Sequence, residues 1–264
     1  MGISNSMFTA VTGLDTFGTA LSIVSDNIAN ANSTGFKSGT ARFGDLVSGY
    51  YATQAAEPQS QGTGTSLLGV ATDFTTGPTV HTGTWSNAMI QGNGFFSVRD
   101  TNNTTLYTRD GSFRVDATGQ LTNMNGYEVL GSDGNPIQVD DPAAPAYVGY
   151  EINNAGEIYG TPSGGGTRVL IGTLMLTTFP NQEGLIRNGS NMYTPGADAG
   201  TPVTNAGGTN TQAGEVIAGA LEGSNVDLAE QMVNMIIYQS DYTANSKAIT
   251  TANNMLDTVV NLVR

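Results

Sequence analysis

The chain has 264 residues, no cysteine, one histidine and a formal net charge of -13. Without cysteine there is no disulfide scaffold, thiol catalysis or thiolate metal site, and a lone histidine, His81, rules out multi-histidine centres and weakens any Ser-His-acid arrangement. Its 22 acids against 9 bases repel a phosphate backbone, which argues against nucleic acid as a partner.

Charged residues are only 12% of the chain, and their distribution is uneven. Residues 1–35 carry Asp15 and Asp26 and no base, and the acidity is concentrated in the middle. The first segment, 1–35, reads as a helix. Met7, Leu14, Leu21 and Ile28 recur every seven residues, with Ala10, Phe17, Val24 and Ala31 three positions on. That is an a/d seam, stopped by Asn30, Asn32, Ser33, Thr34 and Gly35. A helix over 4–31 would be about 40 Å long. The segment has no basic leader and no continuous apolar run, so it does not read as a cleavable secretory signal. No stretch approaches the ~18 consecutive apolar residues of a membrane span, so no membrane insertion is expected.

Residues 36–80 read as an extended arm. The Gly/Ser/Thr/Gln/Pro-rich stretches 45–80 and 196–215 lack periodicity and read as arms or loops. Residues 81–215 read as a β domain. Short apolar-alternating runs occur at 94–98, 106–109, 112–116, 120–123 and 127–131, and again at 150–153, 157–160, 168–179 and 191–195. Turn signals at 109–111, 117–119, 124–126 and 132–134 separate the first group. The pattern predicts an antiparallel barrel- or sandwich-like domain.

Residues 216–264 read as the C-terminal helix. Ser224 or Asn225 is the expected cap, with Asp227 and Glu230 favouring the macrodipole in the first turns. Leu228, Met235, Tyr242, Ile249, Leu256 and Val263 repeat every seven residues, and Met232, Ala252 and Val259 widen the stripe. The expected fold class is therefore α+β: N- and C-terminal helices pairing as a coiled-coil domain, with the antiparallel β domain inserted between them. The polar faces of both helices carry Ser, Thr, Asn and Gln rather than Lys and Glu. One reading is a weakly soluble two-helix hairpin packed on one domain. The other is a helix pair surrounded by copies of itself, where a charge on any face would be buried at a cost.

No catalytic, cofactor or metal site is expected, and the chain does not read as an enzyme. His81 beside Trp85 reads as a surface or packing residue. Asp110, Asp116 and Asp133 read as turn residues, and Asp140 and Asp141 face opposite ways on a strand. The run at 132–136 lacks the EF-hand spacing, and Gly164–Gly166 is followed by neither a Lys-Ser/Thr pair nor a helix. Tyr107, Arg109, Phe113 and Arg114 read as cross-strand packing, with a cation–π pair as the alternative.

Three ordered segments carry a resemblance. Residues 26–46, DNIANANSTGFKSGTARFGDL, resemble the signature of the flagellar hook-basal body axial protein family through Asp26, Asn27, Ile28, Ala29, Asn30, Thr34, Gly35, Phe36 and Lys37. Residues 88–131 resemble that family's β-domain core. Residues 219–262 resemble its terminal helix, with Leu221, Glu222, Ser224, Asn225, Val226, Met232, Met235, Ile236 and Lys247 fitting.

The resemblance implies a structural subunit exported unfolded through the flagellar type III apparatus, without a cleavable signal, that polymerises into a hollow helical tube of the bacterial flagellum. The implied partners are further copies of itself, neighbouring axial proteins, the export apparatus and a cap. The implied assembly residues are the seams Met7, Leu14, Phe17, Leu21, Val24 and Ile28 with Leu228, Met235, Tyr242, Ile249, Leu256 and Val263. Phrases at 36–46 and 219–228 lean towards a short hook member, a torque-transmitting joint. The length and the 245–256 region resemble a distal rod member, a rigid drive shaft, and the family's proximal rod members are the third alternative. The remote alternative is a secreted adhesin or carbohydrate-binding module stacking sugars on Trp85, Tyr107 and Tyr127.

Overall fold

The computed structural model describes residues 2–51, 59–140, 147–164, 166–204 and 213–262. The chain divides into two compact units. The first comprises 1–31, 38–73 and 226–264, and the second 32–37 and 74–225.

The first unit holds helix α1 (Gly2–Ala29), an antiparallel ribbon of β1 (Gly39–Tyr51) and β2 (Gln59–Thr72), and helix α2 (Leu228–Leu262). Helix α1 ends where the Asn-rich run begins, with the Asn30 amide bonded back to the Asp26 carbonyl at 3.1 Å. Helix α2 starts at neither expected cap. Asp227 caps it, its Oδ1 accepting the Ala229 and Glu230 amides at 2.8 and 3.3 Å. Ser224 is buried, and Asn225 donates to Thr75 Oγ1 at 3.1 Å. By length and composition the Asn5–Ala29 stretch of α1 is also apolar enough to cross a bilayer, although it holds no continuous apolar run.

The arm expected at 36–80 is largely this ribbon. A two-stranded ribbon is marginal alone, and α1 supports it. Phe17 meets Phe43 with ring centroids 5.8 Å apart, and Thr16 Oγ1 donates to the Thr65 carbonyl at 3.2 Å. The register slips at Arg42/Phe43, Leu46/Val47 and Ser48/Tyr51. Each slip resets which face a side chain points to, which erases the period-two pattern in the sequence.

The second unit is antiparallel β. It contains β3 (Thr79–His81), β4 (Ala88–Gln91), β5 (Phe95–Arg99), β6 (Thr105–Thr108), β7 (Arg114–Val115), β8 (Leu121–Thr122) and β9 (Glu128–Val129). These are followed by β10 (Tyr147–Ile152), β11 (Glu157–Pro162), β12 (Val169–Thr173), β13 (Leu176–Thr178), β14 (Leu185–Arg187) and β15 (Met192–Pro195). The last strands are β16 (Val203–Thr204), β17 (Glu215–Ala218) and β18 (Ala220–Glu222). The main sheet runs β14-β15-β6-β5-β9-β8-β7, with β13 joining β5 and β16. A second sheet runs β10-β11-β12. Residues 216–222, expected in the terminal helix, are instead β17 and β18, paired with β4 and β3.

One apolar core gathers Val98, Leu106, Leu121 and Val129 of the main sheet with Ile152 and Ile158 of the second. A smaller aromatic core joins Phe95, Tyr107, Phe179 and Tyr193. The coarse class is therefore α+β, with a helix at each end of the chain and an antiparallel, sheet-rich middle.

Candidate assembly site

Helix α1 packs on α2 through small and polar residues. Its buried stripe is Ala10, Gly13, Thr16, Ala20, Val24 and Asn27. A Cβ on Gly13 would stand 2.9 Å from the Asn245 side chain of α2. The inward side of α2 carries Gln231, Asn234, Met235, Tyr238, Asp241, Asn245 and Ile249, all half-buried, and Ala252, which is buried. Tyr238 closes an aromatic triangle with Phe17 and Phe43, at 6.2 and 6.0 Å.

Of the proposed seam residues on α1, Val24 is buried and Met7, Leu14, Phe17, Leu21 and Ile28 are half-buried. On α2, Met235 and Ile249 are half-buried, Leu228, Tyr242 and Leu256 are exposed, and Val263 lies outside the described residues. The large apolar side chains of α2 point mainly away from α1. Met232, Val233, Ile236 and Ile237 form one exposed patch, and Met255, Leu256, Val259 and Val260 form another. Phe8 and Val11 are exposed on α1. A groove of about 560 Å³ beside this surface is lined by Val11, Leu14, Asp15, Gly18, Thr19, Ser22 and Tyr242.

The motif residues take two kinds of structural role. In the first unit, Asn27 is buried and fully used. Its Nδ2 donates to the Gly39 carbonyl (2.8 Å) and to Gln231 Oε1 (3.0 Å), and its Oδ1 accepts the Gly39 amide (2.9 Å). It thereby pins the end of α1 to the start of β1. Asn30 Nδ2 donates to the carbonyl and Oδ1 of Asp26, whereas Ile28 is half-buried and Ala29 exposed.

In the second unit, the Thr34 carbonyl accepts Asn191 Nδ2 at 2.8 Å. Gly35 has φ +66°, and a Cβ there would meet the Asp110 amide nitrogen at 2.7 Å, so conformation and space both require glycine. Phe36 is buried beneath the Arg187 guanidinium, 5.3 Å from the ring centroid. Lys37 is buried against Glu222, its Nζ 2.5 Å from Oε1.

Arg109 lies in the same interior and stacks over Phe95 at 4.8 Å. The ring under Arg109 is thus Phe95 in the core, and not Tyr107 or Phe113 on a sheet surface as the cation–π alternative has it. Burial pulls the Arg109 guanidinium down from its ordinary pKa, and Glu222 partly opposes that shift. Burial also pushes the Tyr193 hydroxyl up. Among the described residues no group of three or more His, Asp or Glu could hold a metal ion.

Heptad reasoning missed Tyr238, Phe43 and the polar inward face of α2, because it counts apolar repeats. The signal that would have found the face is the small-residue row 10-13-16-20, whose spacing lets two backbones approach closely.

Three family models match the chain. Residues 7–37 match "Flagella basal body rod protein", 89–160 match "Flagellar hook protein FlgE/F/G D1 domain", and 217–262 match "Flagellar basal body rod FlgEFG protein C-terminal". The chain is 34% identical to the flagellar basal-body rod protein FlgG of Bacillus subtilis, over 98% of this chain and 99% of the relative. It is 31% identical to that of Borreliella burgdorferi, covering 98% of each. The flagellar hook protein FlgE of Salmonella typhimurium is 24% identical over an alignment of 408 residues, covering 96% of this chain and 98% of the relative. The chain belongs to the family of flagellar basal-body rod and hook proteins.

Proposed function

We propose that the chain is a structural subunit of the flagellar axis, polymerising with copies of itself into a hollow tube and working mechanically rather than as an enzyme. The observation that carries this reading is the outward-facing apolar surface of α2. A helix that meets its partner helix through Gln231, Asn234 and Asn245 while exposing Met232, Ile236 and Ile237 needs further neighbours. In the assembled tube α1 and α2 act as a coiled-coil pair, with the seam residues burying against adjacent subunits. The β unit is sandwich-like, a reading supported by the core shared between its two sheets.

The rod reading has more support than the hook reading. The rod relatives align end to end at nearly this chain's length, whereas the hook relative needs an alignment of 408 residues. Neighbouring axial proteins would cap each end of the segment this chain builds. Export without a cleavable signal, through the flagellar apparatus, would deliver it. Electron microscopy of basal bodies from cells lacking the protein tests this. A truncated rod without the outer ring supports the rod reading, and a complete rod without a curved hook supports the hook reading. Normal basal bodies and motility would refute both.

A further inference from the structure

Three charged side chains are fully buried together in the β unit: Lys37, Arg109 and Glu222. Glu222 Oε1 accepts from Lys37 Nζ at 2.5 Å and from the Gly77 amide at 3.0 Å. Its main-chain carbonyl accepts the Gly35 amide at 2.8 Å. Lys37 Nζ also donates to the Thr75 carbonyl at 2.7 Å, and the Gly223 amide donates to the Pro78 carbonyl at 2.8 Å. One carboxylate therefore ties together three stretches of chain: 35–37, 75–78 and 222–223.

Arg109 follows β6 of the main sheet. Its Nη1 stands 3.7 Å from Glu222 Oε2, too far for a hydrogen bond, and among the described residues neither Oε2 nor any guanidinium nitrogen has a hydrogen-bond partner. A buried carboxylate stripped of its cation is heavily penalised. Segment 32–37 cannot peel away without leaving Glu222 only the Gly77 amide and, as counter-charge, this distant guanidinium. The Glu222 strand cannot leave without stranding both Lys37 and Arg109.

We propose that these residues form a two-ended latch, a piece of the β unit that opens and closes as one while the sheet core stays folded. In sequence, 32–37 follows α1 and 220–225 precedes α2. Opening therefore frees the chain leaving one helix and entering the other in a single event. Arg109 stays with the core as the standby counter-charge. The inference stands on this geometry alone, whichever axial role the chain has.

Native-state hydrogen exchange of the full chain in sub-denaturing urea tests it. The Gly35, Gly77 and Gly223 amides should converge on one opening curve that lies below that of the core amides Leu121 and Leu130. Three separate curves, or a merger with the core curve, would overturn the proposal. In Lys37→Met the three latch amides should exchange about 100-fold faster while the core amides change far less. Glu222→Gln, which strands two cations, should accelerate them more than Lys37→Met does. A parallel rise of latch and core amides in Lys37→Met would overturn the proposal. If Glu222→Gln does not fold, the wild-type curves still decide.

Discussion

The sharpest test of the assembly surface is the triple variant Met232→Gln, Ile236→Gln, Ile237→Gln. These side chains are 54%, 66% and 48% exposed in the single chain, so about half of each remains to be covered. Complete burial of such a side chain is worth about 1.5–3 kcal/mol, so covering the remaining half in a polymer contributes about 0.8–1.5 kcal/mol each and about 2.5–4.5 kcal/mol for the three. At 1.4 kcal/mol per factor of ten, the critical concentration for assembly should rise by about 10²–10³. Glutamine is a good helix former, and exposed substitutions usually shift stability by less than ~0.5 kcal/mol. Sedimentation at graded concentrations reads the assembly, and urea denaturation of the unassembled chain reads the fold. Assembly at the wild-type concentration would refute the argument, and so would a large loss of stability in the unassembled chain.

The double variant Leu14→Ala, Leu256→Ala should abolish polymer formation and motility while export continues, because each truncation removes about 2–5 kcal/mol where the side chain becomes fully buried. Normal filaments by electron microscopy would contradict this. Gly13→Leu drives a side chain into Asn245 of α2; such overpacking should cost about 1–3 kcal/mol, read as a lower denaturation midpoint of the helical unit. Ile158→Ala opens a cavity in the shared core and should destabilise the β unit by about 2–5 kcal/mol, read by calorimetry. The Asp116 carboxyl is held below its ordinary pKa chiefly by the Thr118 hydroxyl, with the amides of Gln120 and Thr118 adding to the effect. A depressed folded value means that its contribution is present above the unfolded value of about 3.9 and is lost as pH falls through the folded one. Asp116→Asn should therefore flatten the acid limb of the stability–pH curve, and an unchanged limb would count against the assignment.

How legible each part was in the sequence follows from how local its cause is. The β strands from 95 to 129 were readable because glycines fix their turns, with φ of +80° at Gly119 and +82° at Gly126. The long helices were readable from their repeats, the end of α1 from Asn30, and the start of α2 only to within two or three residues, because Asp227 caps it in place of Ser224 or Asn225. The ribbon at 39–72 was not readable. Its three register slips cancel the alternation, and its partner Phe17 is distant in sequence. The facing of α2 was misleading for a related reason. Its apolar heptads leave Leu228, Tyr242 and Leu256 exposed, while its inward side carries Gln231, Asn234, Tyr238 and Asn245 beside the half-buried Met235 and Ile249. The interior cluster was half-visible. Lys37 stood inside the family motif and Glu222 within the terminal resemblance. Their pairing across 185 positions leaves no local trace.

The inverted packing of the helix pair carries one more consequence. In a self-sufficient helical hairpin the largest side chains sit between the helices and supply the apolar area that offsets the entropy of ordering. Here, among the described residues, the buried apolar side chains of α1 and α2 are Ala10, Ala20, Val24 and Ala252. Ordering each residue costs about 1–2 kcal/mol of backbone entropy, and alanines return little of it. Helix formation in the isolated chain should therefore be incomplete, and contacts between copies should complete it. Far-UV circular dichroism should show less helix below the critical concentration than helices of 28 and 35 residues would give, rising as assembly proceeds. The Met232→Gln, Ile236→Gln, Ile237→Gln variant should stay at the low value at concentrations where the wild type has risen. Full helicity in the dilute wild-type chain would show that the small-residue interface suffices, and would break the link between ordering and assembly.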